Sequence, residues 1–234
     1  MKTIRYFNSH VLQLLVTTVI LSLGFFNVNA QQASNMVTDI EGNKYKTIVA
    51  GNQEWMLENL KTTKYKDGTD IPLVEQKNAW NETTTPGYCW YDNNVENKEL
   101  LGALYNWHAV NTGKLCPSGW HVPSDEEWTQ LTEFLGGIDV AGKIVKEATM
   151  KSWEAPNTKQ DSDIGIKGLL GGYRYGYFWG DGNFYEKGLN GYFWTSTGYT
   201  DTHSLTRTVN SSQSKVYRSV FVKNNGFSVR CVKD

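Results

Sequence analysis

The period of the apolar positions changes several times along this chain, and each change predicts a different element. The first apolar block, Val11 to Phe26, is uncharged, follows Lys2 and Arg5, and gives way to Val28-Asn29-Ala30 ahead of Gln31. That order of charged, apolar and small-residue regions predicts a secretory signal peptide over residues 1–30, cleaved after Ala30. The alternative, a transmembrane anchor, needs roughly twenty apolar residues, and this run is shorter. No cysteine follows the cleavage point, which argues against a lipid anchor there. Residues 31–36 read as a polar leader, and one folded domain is expected over 37–234.

Within that domain, Thr47 to Ala50 and Gln53 to Leu57 read as short strands joined by Gly51-Asn52, because Gly and Asn tolerate positive φ. Gly87 to Tyr91 is a third strand candidate. Glu99 to Val110 places Leu101, Leu104, Tyr105 and His108 at helical spacing, which predicts a helix stopping near Asn111-Thr112-Gly113. Ser124-Asp125-Glu126-Glu127 has the form of a capping box, Trp128, Leu131 and Leu135 form the apolar stripe behind it, and Gly136-Gly137 ends the helix. A third helix is expected over Val140 to Met150, where Ala141, Ile144, Val145 and Ala148 share a face.

After Asp163 the pattern becomes one of strands and loops. Strands are expected over Tyr192 to Thr197, His203 to Val209, Lys215 to Val222 and Phe227 to Val232, with Asn224-Asn225-Gly226 turning the last hairpin in the left-handed conformation. Helices first and strands afterwards indicate an α+β fold.

Composition narrows the function classes. Residues 1–30 hold two of the 23 basic residues and no acid, so the remaining chain has 21 basic against 24 acidic residues, a net charge of −3. Such a balance gives no electrostatic footprint for nucleic acid or an anionic membrane, and no second apolar span follows the signal peptide. Nine Trp and 13 Tyr beside 22 Gly suit an extracytoplasmic module with irregular loops and aromatic surfaces. Cys89, Cys116 and Cys231 allow one disulfide in an oxidising compartment and leave one thiol over.

Three segments then meet in one likeness. They are Leu104-Tyr-Asn-Trp-His-Ala-Val110 with Thr112-Gly-Lys-Leu-Cys-Pro-Ser-Gly-Trp-His-Val-Pro-Ser-Asp-Glu-Glu-Trp128, Gly171-Gly-Tyr-Arg174, and Gly226-Phe-Ser-Val-Arg-Cys231. Together they resemble the Fibrobacter succinogenes major paralogous domain, an exported module of bacterial surfaces. Gly119 to Trp128 with Val229-Arg-Cys231 is more loosely similar to the formylglycine-generating enzymes and to C-type lectin folds. That likeness implies two helices, a loop-rich antiparallel sheet whose first and last strands meet, and a long disulfide at Cys116 and Cys231; the alternative is two buried free thiols.

Cys89 lies in the apolar string Tyr88-Cys-Trp-Tyr91 and reads as a buried inert thiol. His108 and His121 are single, without zinc-ligand spacing, and read as core histidines bonded to backbone. Asp92-Asn93-Asn94, Asp161-Ser162-Asp163 and Asp181-Gly182-Asn183 are oxygen-rich but lack the EF-hand ligand order, and read as solvated turns; no metal or other cofactor is expected.

The stretch Gly168 to Trp194 packs eight glycines and ten aromatic residues into 27 positions. Rings on glycine-freed loops can present flat faces to a pyranose, so Tyr173, Tyr175, Tyr177, Trp179 and Tyr185, with Arg174 and Asp181 as hydrogen-bonding neighbours, form the candidate ligand site. The competing reading is that these rings fill the core. The expectation is an exported, non-catalytic binding or surface module whose partner is a glycan or cell-surface polymer. The alternatives are a structural or protein-binding component of the cell envelope, and an oxidase like the formylglycine-generating enzymes. The oxidase needs a reactive cysteine pair, and no further cysteine lies between Cys116 and Cys231.

Overall fold

Gly51 takes a φ of 65°, the left-handed geometry that the expected turn needs, and the flanking strands pair across it. In the computed structural model, which describes residues 35–153 and 169–234, these are β2 (Lys44–Ala50) and β3 (Gln53–Met56), antiparallel from Ala50↔Gln53 to Thr47↔Met56. The expected signal peptide and the Asp161-Ser162-Asp163 turn lie outside the described residues. β1 (Met36–Thr38) adds to the free side of β2. The other side of β3 receives β12 (Val232–Lys233), which in turn carries β6 (Trp120–His121). The resulting five-stranded antiparallel sheet, β1-β2-β3-β12-β6, places early and late segments of the chain side by side. The Cys116–Cys231 disulfide links the loop before β6 to the residue before β12, with Cα atoms 6.0 Å apart.

A second antiparallel sheet is the meander β9 (Asn190–Gly198), β10 (His203–Asn210) and β11 (Val216–Val222), close to the expected strands. Its middle strand is buried from Ser204 to Val209. Two-stranded ribbons complete the strands: β4 (Tyr88–Cys89) with β5 (Leu104–Tyr105), and β7 (Tyr173–Arg174) with β8 (Phe184–Tyr185). The described residues therefore form a mixed α+β structure with antiparallel sheets and few helices.

The capping box forms as the sequence predicts. Helix α4 (Asp125–Phe134) begins where Glu127 N donates to Ser124 Oγ at 3.2 Å and Ser124 N donates to Glu127 Oε2 at 2.7 Å. Trp128 and Leu131 are buried, and Gly136 and Gly137 end the helix with φ of 95° and 105°. Helix α5 (Ile138–Trp153) follows. Short helices α1 (Lys77–Glu82), α2 (Lys98–Leu101) and α3 (Trp107–Val110) precede them.

The helix expected over 99–110 is not formed. Gly102 takes a φ of 71°, with its α-carbon pressed so close to Asn59 that a Cβ there would lie 2.7 Å from the Asn59 Cβ. The chain turns at Gly102 into β5, and Tyr105 exchanges main-chain hydrogen bonds with Phe227 at 2.9 and 3.0 Å. The helical spacing of Leu101, Leu104 and Tyr105 reflects burial in two different elements, α2 and β5. The last hairpin also differs. Asn225 N donates to Val222 O to close a turn, but none of Asn224, Asn225 and Gly226 has positive φ. Gly226 instead pairs with Arg174, Ser228 bridges Phe193, and only Val232 and Lys233 join a sheet as strand.

Aromatic rings fill much of the core, Phe193 and Trp194 of the ring-rich stretch among them. Trp194 packs on Phe227 with ring centroids 4.6 Å apart and donates its Nε1 hydrogen to Tyr105 O at 2.8 Å. Among these rings the fold buries three arginines, Arg174, Arg207 and Arg230. Arg230 Nε donates to Asn59 Oδ1 at 3.1 Å, and burial pulls its pKa down to about 10. Arg207 on β10 donates twice to Asp125 Oδ1 at 2.7 and 3.1 Å, to Asp125 O, and to Thr129 Oγ1. Arg218 on β11 reaches the other Asp125 oxygen at 2.8 Å, so one carboxylate joins α4 to two strands.

Candidate functional site

The ring-rich stretch separates into buried and displayed parts. Gly172 is at φ 65°, and a Cβ on it would meet Tyr185 O at 2.3 Å, so the two strands of the β7–β8 ribbon approach closely only with glycine there. Tyr173 is half-buried between Tyr185, Tyr192 and Phe227, with centroids 5.6, 5.0 and 6.0 Å away, and burial pushes its phenol up to about 12. Tyr175 is half-buried beneath Gly180, whose α-carbon faces the ring edge. Arg174 is wholly buried. Its guanidinium donates to Val74 O and Glu75 O at 2.6 Å each and to Gly182 O at 3.2 Å, and lies 4.6 Å from the Trp80 ring centre. Its hydrogen-bonding capacity is directed at main-chain carbonyls of the fold, which removes it from the candidate ligand contacts.

The displayed part begins at Tyr177. Gly180 N donates to Tyr177 O at 2.6 Å, closing a turn whose two central residues are Phe178 and Trp179. Their rings meet edge to face at 4.8 Å, and Trp179 is 84% exposed and Phe178 61% exposed. Asn81, buried at the end of α1, donates its Nδ2 hydrogen to Gly180 O at 2.7 Å and so anchors the turn from below. Next in the chain, Asp181 accepts Asn183 N at 3.0 Å and the Tyr185 hydroxyl, hydrogen bonds that hold its carboxyl below the usual range. Tyr177, Trp179 and Asp181 on the turns, and Tyr185 on β8, are thus solvent-facing. Phe178, which the sequence reading did not single out, belongs with them.

A cavity of about 510 Å³ opens beside these turns, lined by Glu75, Gln76, Lys77, Asn78 and Asn93. Gly182, at φ 61°, touches Lys77, and Lys77 Nζ donates to Asn183 Oδ1 at 2.5 Å, so the 181–183 turn borders the cavity. Asn93 Nδ2 donates to Glu75 O at 3.1 Å from a backbone at φ 53°. Asn93 and the 181–183 turn belong to oxygen-rich strings of the sequence, whereas residues 75–78 carry neither an apolar period nor a recognisable motif. Only the folded chain brings 75–78, 93 and 181–183 together.

The remaining chemistry-bearing residues are placed as follows. Cys89 is buried, and burial pushes its thiol up to about 12. The histidines depart from expectation, since neither is buried and both use side-chain partners. His108 Nε2 meets Asn224 Oδ1 at 3.1 Å. His121 lies between two carboxylates, Nδ1 to Asp234 Oδ1 at 2.6 Å and Nε2 to Glu127 Oε1 at 2.8 Å. Among the described residues no group of three or more His, Cys, Asp or Glu is arranged to hold a metal ion. Asn94 instead caps a short turn by accepting Glu96 N at 2.9 Å. No described helix is long and apolar enough to cross a membrane.

The family model of the Fibrobacter succinogenes major domain matches residues 48–233. That is most of the chain, so the chain belongs to this family. No curated protein and no solved structure matches it.

Proposed function

We propose that this member of the Fibrobacter succinogenes major domain family is an exported, non-catalytic surface module of lectin-like fold that binds a saccharide polymer through its displayed rings. The observation that carries the reading is the Tyr177–Gly180 turn, which holds Trp179 84% exposed on a hydrogen-bonded scaffold. Leaving a large ring in water forgoes its burial, roughly 1.5–3 kcal/mol for a side chain of this kind, and a ring held rigidly at a surface offers the flat face that stacks on a sugar.

Export is supported by the Cys116–Cys231 disulfide, a bond suited to oxidising compartments. The lectin-like assignment is supported by two main helices and by β12 lying between β3 and β6. Against catalysis stands the state of the free thiol, buried with its pKa raised, and the Ser124 hydroxyl, which is bonded to Glu127 within a helix cap.

The test is a glycan array on protein recovered from the envelope or secreted fraction, with and without calcium. Binding should be lost in Trp179→Ala while its melting temperature stays at the wild-type value. Retention of all binding in Trp179→Ala, or capture of no glycan by the wild type, would overturn the reading.

A further inference from the structure

The cavity and the aromatic turn sit at opposite ends of one short helix. Lys77 and Asn78 in the first turn of α1 line the cavity, and Asn81 near its end holds Gly180. At 1.5 Å per residue, the six residues of α1 span about 9 Å. Both ends are fixed by interior contacts. Arg174 and Asn93 converge on Glu75 O at 2.6 and 3.1 Å, and Arg174 also holds Gly182 O. The cavity wall and the 181–183 turn are therefore tied to the same buried guanidinium, a preorganised arrangement.

The lining is rich in carboxamides. Gln76, Asn78 and Asn93 each carry donors and an acceptor, which is also the hydrogen-bonding capacity of a hydroxyl. The two charges in the wall, on Glu75 and Lys77, are of opposite sign. Lys77 gives one of its donors to Asn183, Arg174 faces main-chain carbonyls, and the charge of Lys77 is offset by that of Glu75, so the wall presents no net positive charge to an anion.

We propose that this cavity is a second subsite for an uncharged, hydroxyl-rich polysaccharide, which lies along α1 with one residue on Trp179 and the hydroxyls of another in the cavity. The inference rests on reading the aromatic turn as a sugar platform, and adds to it the cavity residues and a preference for neutral over acidic chains. Gln76 and Asn78 are solvent-exposed and Gln76 makes no side-chain cap bond to α1, so replacing them leaves the fold undisturbed.

The experiment is affinity gel electrophoresis of the full chain through laminarin, xylan, mannan and dextran, and through polygalacturonate and alginate. At least one neutral polymer should retard the wild type and neither acidic one should. Gln76→Ala/Asn78→Ala should weaken retardation about tenfold, the equivalent of two lost hydrogen bonds, with melting unchanged. Full retardation of that double variant, with loss in Trp179→Ala, would remove the subsite and leave the aromatic platform standing. Loss in the double variant with full retardation of Trp179→Ala would remove the platform instead, and with it the extended mode of binding. Retardation by the acidic polymers alone would overturn the neutral preference. Passage of the wild type through every gel unretarded would overturn both readings.

Discussion

Replacing Asp125 with alanine strips the carboxylate from a guanidinium that has almost no contact with water. Arg207 is 1% exposed and gives two of its hydrogen bonds to that carboxylate. Breaking a buried ion pair by removing one partner costs about 3–5 kcal/mol, because the charge left behind stays desolvated. Arg207 would keep Asp125 O and Thr129 Oγ1, which places the cost near the lower end, about 3 kcal/mol. For a domain of this size that is a fall of about 6–12 °C in melting temperature. The half-exposed Arg218 partner contributes less, and Arg218→Ala should cost under about 1 kcal/mol. The decisive variant is Asp125→Ala/Arg207→Met, in which an apolar side chain of similar length replaces the stranded charge. Such replacements are commonly neutral or stabilising, so the double variant should recover most of the loss. Melts followed by far-ultraviolet circular dichroism would decide it. Asp125→Ala melting within about 2 °C of wild type, or the double variant melting below the single, would refute the argument.

Three further predictions concern the fold. Cys116→Ala/Cys231→Ala should lose about 5 kcal/mol in urea unfolding by the chain-entropy model, and an unchanged midpoint would contradict it. Burial opposes charge on His121, but its hydrogen bonds to Asp234 and Glu127 prevail and raise its pKa; Glu127 is also partly buried, yet its bonds from Ser124 and His121 lower its own. The His121 contribution is therefore complete below about pH 6.5 and is lost as pH rises through the raised value, while that of Glu127 is complete above about pH 4.3 and is lost on acidification. Melting temperature against pH should fall above about pH 6.5 in the wild type and flatten there in His121→Gln; identical profiles would exclude the linkage. Ser124→Ala should cost about 1 kcal/mol, since Glu127 N loses its acceptor, and unaltered stability would remove the cap from the account.

Features set by neighbours in sequence were legible before the fold was known. The β2–β3 turn needs only Gly51 at positive φ, and the cap of α4 needs only residues 124 to 127. The pairing of Cys116 with Cys231 came from likeness of motif, since spacing alone cannot choose among three cysteines. The expected helix over 99–110 failed because its spacing could not reveal the pressure of Asn59 on Gly102. Arg174 was misread for a related reason: its partners, Val74 O and Glu75 O, lie about a hundred residues earlier in the chain. Apart from Asn93, in an oxygen-rich string, the cavity residues left no trace in the pattern, because exposed Glu, Gln, Asn and Lys have no periodic signature. The family strings Gly171 to Arg174 and Gly226 to Cys231 hold close-packing positions, main-chain clamps and a crosslink, which position the displayed turns.

The place of β12 within the five-stranded sheet orders events during synthesis. Among the described residues β6 has no neighbour in that sheet except β12, so Trp120 and His121 must wait for residues 232 and 233 to leave the ribosome before they pair. Over that interval Cys116 has a single possible partner, Cys89, which emerges first. A chain oxidised too early would close that wrong crosslink, and native structure, in which Cys89 is sealed inside, would form only after a thiolate, that of Cys231 itself or of another thiol, attacked Cys116 Sγ and released Cys89.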